Sequence, residues 1–204
     1  MSNWIRWVSQ LRAHAQAGLQ YSKDPFDRER FEHLLKLAAE IAADMTNDDV
    51  TRLHHLFRQE PGPATPKIDV RSAVVENEQV LLVRDRTEGL WTLPGGWVDV
   101  EETPSTAAIR ELKEESGFCA RVVKLVGLFD RNKHNFPRHP YHIYKIIFLC
   151  ELTGGAPSES HETDHVGFFG LDALPPLSTS RTTEAQIRRI FDHAKDHSLP
   201  TYFD

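Results

Sequence analysis

The chain has 204 residues, more than one ordinary domain needs and fewer than two full ones. One principal domain with a small accessory domain fits best. Apolar residues make up 40% and charged residues 26%, the balance of a soluble globular protein, and the net charge of -6 argues against broad, unspecific nucleic-acid binding. No apolar run approaches the roughly 18 residues that a membrane-spanning helix needs, so no membrane partner is expected. No basic stretch followed by an apolar core opens the chain, which excludes a signal peptide in this reading. Cys119 and Cys150 show no metal-ligand spacing. A cytoplasmic compartment with both thiols reduced is the expectation.

Residues 1–60 read as a helical domain. Trp4, Trp7, Val8 and Leu11 fall at the spacing of one helix face. A second helix is predicted from about Asp27 to Met45, with Phe31, Leu34, Leu35, Ala38, Ile41 and Met45 on its apolar side. Thr46 stands three residues before Asp49, which suggests a capping box opening a third helix with Val50, Leu53, Leu56 and Phe57 inward. Three short helices bury little surface alone, so this segment is expected to pack on the principal domain or on a second subunit. Its eight Lys/Arg and nine acids balance at 8 − 9 = −1, unlike a DNA-binding module.

Residues 61–66 read as a linker, inside the stretch EPGPATP whose prolines and glycine disfavour helix. Strands follow. IDVRSAVV and VLLVRD flank ENEQ as a hairpin, and RVVKLVGLF and YHIYKIIFLCEL come later. The last of these is apolar on both faces and is expected at the centre of a sheet. HVGFFGL is a further short strand. A final helix is predicted from Thr183 to about Lys195, with Ile187, Ile190, Phe191 and Ala194 inward.

Between the strands lies GWVDVEETPSTAAIRELKEESGF, from Gly96 to Phe118. Its middle is punctuated as a helix. Thr103 suits the N-cap, Pro104 the first turn, and Gly117 the left-handed C-terminal position. Glu111, Glu114 and Glu115 stand at i, i+3 and i+4 and share a face. Three crowded carboxylates repel one another unless cations intervene, and oxygen-rich clusters suit Mg²⁺ or Mn²⁺. Arg110 could pair with Glu114 or orient Glu111. A solvated charged helix face is the plainer alternative for RELKEE alone.

The wider spacing resembles the Nudix box at Gly96, Glu102, Arg110, Glu111, Leu112, Glu114, Glu115, Gly117 and Phe118, with no specified position departing. The resemblance implies an α/β fold over residues 67–204, an α/β/α sandwich around a mixed sheet, with the box as loop-helix-loop. It implies that Glu111, Glu114 and Glu115 bind metal, joined by the backbone carbonyl near Gly96. It implies that Glu102 supports the loop and that Arg110 orients a catalytic carboxylate. DRNKHNFP, YKIIFLCELTGG, HETDHVGFF, ALPPLSTSR and LRAHAQAGLQYSKDPFDRERF also look like the bacterial Nudix group with a helical N-terminal extension, which includes enzymes acting on ADP-ribose and on CDP-choline.

The expected reaction is divalent-metal-dependent hydrolysis of the pyrophosphate of a nucleoside diphosphate linked to another group. Its products are a nucleoside monophosphate and a phosphorylated second group. Two alternatives stay open: a sanitiser of nucleoside triphosphates, and a non-catalytic Nudix-like sensor, which would usually have lost box carboxylates. The general base is either on the box helix, at Glu115 or Glu111, or at Glu162 in the loop before HVGFF, where relatives often place a metal-binding carboxylate. Glu159 and Asp164 are weaker candidates. His165 replaces a second Glu that many relatives carry. The basic segment RNKHNFPRHP, from Arg131 to Pro140, is expected to be an exposed loop, with Lys133 and His134 contacting substrate. Trp97, inside the box loop, is the preferred aromatic for stacking on a base. Trp91, Phe129 and Tyr141 could stack or belong to the core. A small-molecule nucleotide is the expected partner, with no nucleic acid, and the chain is expected to be a homodimer through residues 1–60.

Overall fold

The computed structural model describes residues 4–59, 65–137, 139 and 141–204. Most of the linker stretch, Glu60 to Ala64, and Arg138 of the basic segment lie outside the described residues. The chain divides into two compact units: Met1–Pro66 with Arg138–His142, and Lys67–Pro137 with Ile143–Asp204.

The first unit is built on α1 (Trp4–Tyr21), α2 (Pro25–Thr46) and α3 (Val50–Arg58). With 18 and 22 residues, α1 and α2 are longer than the sequence patterns implied. They have a core of their own, made by Trp4, Val8 and Ala15 against Leu35, Ala38, Ala39 and Ala42, with Leu53 and Phe57 from α3. Small residues let the helices approach closely. A Cβ on Gly18 would lie 2.3 Å from the Phe31 ring. Three expectations are corrected, one being Val50, expected inward on α3 and 37% exposed. Trp7, placed on the inward face, is 52% exposed. Thr46 does not cap α3. It ends α2, donating its hydroxyl to the Ala42 carbonyl at 2.7 Å, and Asn47 then turns left-handed at φ 56°. Asp49, adjacent to the first turn, takes the cap by accepting from the Arg52 amide at 2.7 Å.

The second unit is a mixed sheet with helices on both faces. Its strands are β1 (Lys67–Glu76), β2 (Gln79–Asp85), β3 (Trp91–Thr92), β4 (Phe118–Asp130), β5 (Ile143–Gly155), β6 (Thr163–Gly170) and β7 (Tyr202–Phe203). The order is β3-β2-β1-β5-β4-β7, and β6 pairs with β2. The predicted hairpin closes through Asn77 and Glu78, both at positive φ (49° and 59°). The apolar strand β5 is central as expected, parallel to β1 and antiparallel to β4. Side chains of β1 alternate between two layers. Val70 and Val74 pack with Ala107, Ala108 and Leu112 of α4 (Pro104–Ser116). Ala73 joins Ile187, Ile190 and Phe191 of α5 (Glu184–Lys195) on the other side. This is the expected α/β/α sandwich. No described helix is long and apolar enough to cross a membrane.

Candidate active site

The helix α4 is fixed at both ends. Thr103 accepts from the Thr106 amide while the Thr106 hydroxyl accepts from the Thr103 amide, a reciprocal cap. Gly117 ends it at φ 78°. Leu112 is fully buried against the sheet, which sets the azimuth of its carboxylate neighbours. Glu115 is buried, Glu111 half-buried, and Glu114 exposed.

The preceding loop is laced to β1. The Ser72 amide donates to the Pro94 carbonyl at 2.8 Å, Val70 to Gly96 at 2.9 Å, and the Val98 amide to Ile68 at 3.1 Å. This lacing places Gly95 and Gly96 against the helix carboxylates. The Gly95 amide donates to Glu115 Oε2 at 2.8 Å. Gly95 has φ +146°, and a Cβ there would sit 2.0 Å from the Val70 carbonyl oxygen, so no side chain fits. A Cβ on Gly96 would come within 2.7 Å of Glu111 Oε1.

Arg110 does both things the sequence allowed. It contacts Glu102 at 2.9 Å, Glu111 at 3.0 Å and Glu114 at 3.0 Å. The hydrogen bond from Arg110 holds Glu102 below the usual carboxylate range. Burial dominates at Glu115, whose carboxyl is pushed up to about 7 against the opposing pull of Arg71 and the Gly95 amide. Burial raises Glu111 as well.

A cleft of about 540 Å³ is walled by Glu111, Glu114 and Glu115 on the helix and by Glu159, Ser160, His161 and Glu162 on the loop before β6. Glu162 is close enough for its charge to help raise Glu115. The loop is tied down on both sides. Its hinge residue Thr163 donates its hydroxyl to the Glu115 carbonyl at 2.6 Å. Ser160 Oγ accepts from the amides of Glu162 and Thr163 at 3.1 and 3.0 Å. Arg86 Nη2 donates to Glu159, to the Ser160 carbonyl and to the Thr163 carbonyl at 3.2, 3.1 and 3.3 Å. Ser160, His161, Arg86 and Gly95 escaped the sequence reading. Gly95 acts through its amide, Ser160 and Arg86 chiefly by bonding backbone groups of the loop, and His161 by position, and no residue spacing advertises that.

Other candidates sit elsewhere. Asp164 is gripped by Arg84 at 2.8 and 2.9 Å and held down to about 2 by that hydrogen bond. His165 also meets Arg84, at 2.7 Å. Among the described residues the cleft wall does not include Trp97, Lys133 or His134. Trp97 is 48% exposed beside the box loop's pairing with Asp69. Lys133 is exposed, and His134 Nε2 lies 3.1 Å from the Asp204 carboxylate. Phe129 is core, stacked on Tyr202 at 5.0 Å, and Trp91 meets Phe169 edge-on at 4.6 Å. Tyr141 belongs to the helical unit, with Arg12 4.9 Å above its ring. The basic segment is not uniformly exposed: Arg131 is buried, its guanidinium 5.3 Å from the Phe136 ring.

A capped carboxylate helix, a glycine loop laced to a mixed sheet, and helices on both faces define one class. Residues 66–192 match the NUDIX domain, and the chain belongs to the Nudix hydrolases as a pyrophosphohydrolase. Residues 2–57 match a second family, described as a UDP-X-like, N-terminal oligomerisation domain. A Bacillus subtilis protein with the provisional name ADP-ribose pyrophosphatase YjhB is 42% identical over 203 residues, covering 100% of this chain and 98% of its own length. A crystal structure of a UDP-X diphosphatase superposes at TM-score 0.65 with 34% identity, over 99% of this chain and 98% of that one. That of an ADP-ribose pyrophosphatase from Streptococcus suis reaches TM-score 0.64 with 37% identity, over 69% of this chain and 100% of that one.

The family implies a divalent metal, and the donor chemistry suits one. The cleft offers hard carboxylate oxygens, and the upward shifts of Glu115 and Glu111 mark a crowded, partly dry site that a cation would relieve. Among the described residues no three acids, histidines or cysteines converge on one point, and Arg110 holds Glu111 and Glu114 in ion pairs.

Proposed function

We propose that this enzyme hydrolyses, with Mg²⁺ or Mn²⁺, the pyrophosphate of a nucleoside diphosphate joined to a second group, of the ADP-ribose or CDP-choline kind. Glu111, Glu114, Glu115 and Glu162, with the carbonyl near Gly96, hold the metal. A divalent ion bound there neutralises phosphate oxygens and acidifies bound water. The observation that carries this reading is the cleft that sets Glu111, Glu114 and the buried Glu115 of one helix against Glu162 of the facing loop. Glu115, buried in the cleft and held by the Gly95 amide, leads Glu162 and Glu111 as general base, with Arg110 orienting Glu111. Trp97, Lys133 and His134 are the candidates for holding the rest of the substrate. The helical residues 1–60 form a dimerisation domain and residues 67–204 the catalytic domain, a reading supported by the oligomerisation family matched at residues 2–57.

The test is a panel of ADP-ribose, CDP-choline, UDP-sugars and nucleoside triphosphates, each with Mg²⁺ and with Mn²⁺, with products weighed by mass spectrometry. A nucleoside monophosphate and a phosphorylated second group are expected. Glu115→Gln, which is nearly isosteric, should lose on the order of a hundredfold or more in turnover with the fold retained. Pyrophosphate released from triphosphates alone, or full activity after exhaustive chelation, would overturn the proposal.

A further inference from the structure

One carboxylate on β1 sits among three buried cations. Asp69 is 6% exposed, Arg71 6%, Arg131 4% and Lys145 1%. Arg71 takes the carboxylate side-on, Nε to Oδ1 at 2.9 Å, and the Lys145 ammonium contacts Oδ2. Arg131, in the short turn after β4, has no carboxylate within ion-pair distance among the described residues. Its guanidinium lies 5.3 Å from the Phe136 ring, and the Lys145 ammonium lies 5.5 Å from the same ring. Three positive groups are gathered on this one buried carboxylate. A buried charge without a partner is strongly unfavourable. Arg71 has further relief, because Glu115 and Glu111 act on it from the carboxylate helix. Lys145 keeps Asp69 as its ion-pair partner, so among the described residues the charge without an ion pair falls on Arg131.

The geometry points to Arg131 and Lys145 as an anion site that takes one phosphate of the substrate, beside the box carboxylates. This rests on the proposed nucleoside diphosphate chemistry and adds to it a site outside the carboxylate cleft. The pair suits the ligand: a planar guanidinium presents two parallel donors to phosphate oxygens and an ammonium adds a point charge. Burial lowers both cations, Lys145 to about 8 with the neighbouring Arg71 contributing, and a bound anion would reverse that shift. The position is also right. Asp69 pairs with Trp97 of the box loop, so the cluster lies one strand position from the loop that carries Gly96. Phe136, whose ring lies near both cations, is half-buried.

The experiment uses the full chain in excess EDTA, with inorganic pyrophosphate as the probe, read by calorimetry and by thermal melting. Pyrophosphate should bind the native protein and raise its Tm. Arg131→Gln should weaken that binding about tenfold to a hundredfold, the loss of a charge-assisted pair of hydrogen bonds, and Arg131→Lys should recover part of it. No Tm rise in the native protein overturns the inference, as does equal binding by Arg131→Gln. Should Arg131→Gln fail to fold, the side-chain ¹⁵N signal of Arg131 in the native protein decides. Movement on pyrophosphate addition supports the site, and an unmoved signal refutes it. Catalysis does not enter the measurement. A chain that bound pyrophosphate through Arg131 yet cleaved no nucleoside diphosphate would keep this site and sink the proposed function.

Discussion

Gly95 and Glu115 show how much one backbone position controls. The amide of Gly95 is aimed at the Glu115 carboxylate because the residue adopts φ +146° with its Cα against the Val70 carbonyl. Gly95→Ala should destabilise the fold by about 2–4 kcal/mol, since it adds strain and a backbone clash together. Gly89 is the control. It also has positive φ, at +67°, but a Cβ there would meet nothing within 4 Å. Gly89→Ala should therefore cost only about 1 kcal/mol. Urea denaturation of the two variants would show equal losses if the Val70 contact were unimportant. At this scale the sequence was most legible where chemistry is carried by side chains at fixed offsets. Glu111, Glu114, Glu115 and Arg110 stood out once their helix spacing was joined to the wider box pattern from Gly96 to Phe118. Gly95 did not, because an amide donor has no letter of its own.

At the scale of elements, α4 and the loop before β6 form the two walls of the cleft, and Arg86 clamps the second wall. Arg86→Gln removes its three side-chain contacts and leaves its own amide on the Glu162 carbonyl at 2.8 Å. The expected outcome is a several-fold to roughly tenfold fall in kcat with KM little changed, and partial recovery in Arg86→Lys. Unchanged kcat would deny the loop a part in turnover. The start of α3 carries a pH signature in the helical unit, at Asp48 beside the cap. The Arg52 side chain, helped by the Asp49 amide, holds Asp48 below the usual carboxylate range. The folded value is thus lower than the unfolded one, near 4. Its stabilisation is complete above about pH 4 and disappears as pH falls through the folded value. The stability difference between native protein and Asp48→Asn, followed by urea melts at several pH values, should shrink on acidification, and a growing difference would reverse the assignment. Long periodic elements were readable in advance. β3 and β7, of two residues each, were not, since two residues have no period. The Thr46 cap was misplaced because α2 ran on to a left-handed Asn47, which sequence pattern alone does not distinguish from an earlier stop.

For the whole molecule the question is what covers the helical unit. Trp4, Leu35, Leu53 and Phe57 lie in a core of their own, so the number of large apolar groups does not by itself demand a second subunit. What remains outside includes Trp7 at 52%, Tyr21 at 71%, Phe26 at 68%, Leu37 at 44% and Val50 at 37% exposure. These residues and the oligomerisation family matched at residues 2–57 support a homodimer. Light scattering at micromolar concentration should give the dimer mass for the full chain, and a chain beginning at Lys67 should run as a monomer. Trp7→Glu should shift the full chain toward monomer if this face is the contact. A monomeric full chain would end the proposal.

The lacing of residues 94–98 to β1 also divides the surface into places where chain length can and cannot change. Each of Ile68, Val70 and Ser72 reads a different residue of that loop through a backbone hydrogen bond. One residue inserted between Pro94 and Val98 would put the rungs on its two sides out of step with each other, so the loop would have to give up a rung or bulge beside the carboxylates. The Asn77–Glu78 turn closes a hairpin at the far end of the same strand, next to the Gln79–Gly170 end of the β2–β6 pairing and away from the carboxylate helix. A peptide tag grafted between Asn77 and Glu78 should leave turnover intact. A single glycine inserted after Gly96 should abolish it while secondary structure, followed by circular dichroism, survives.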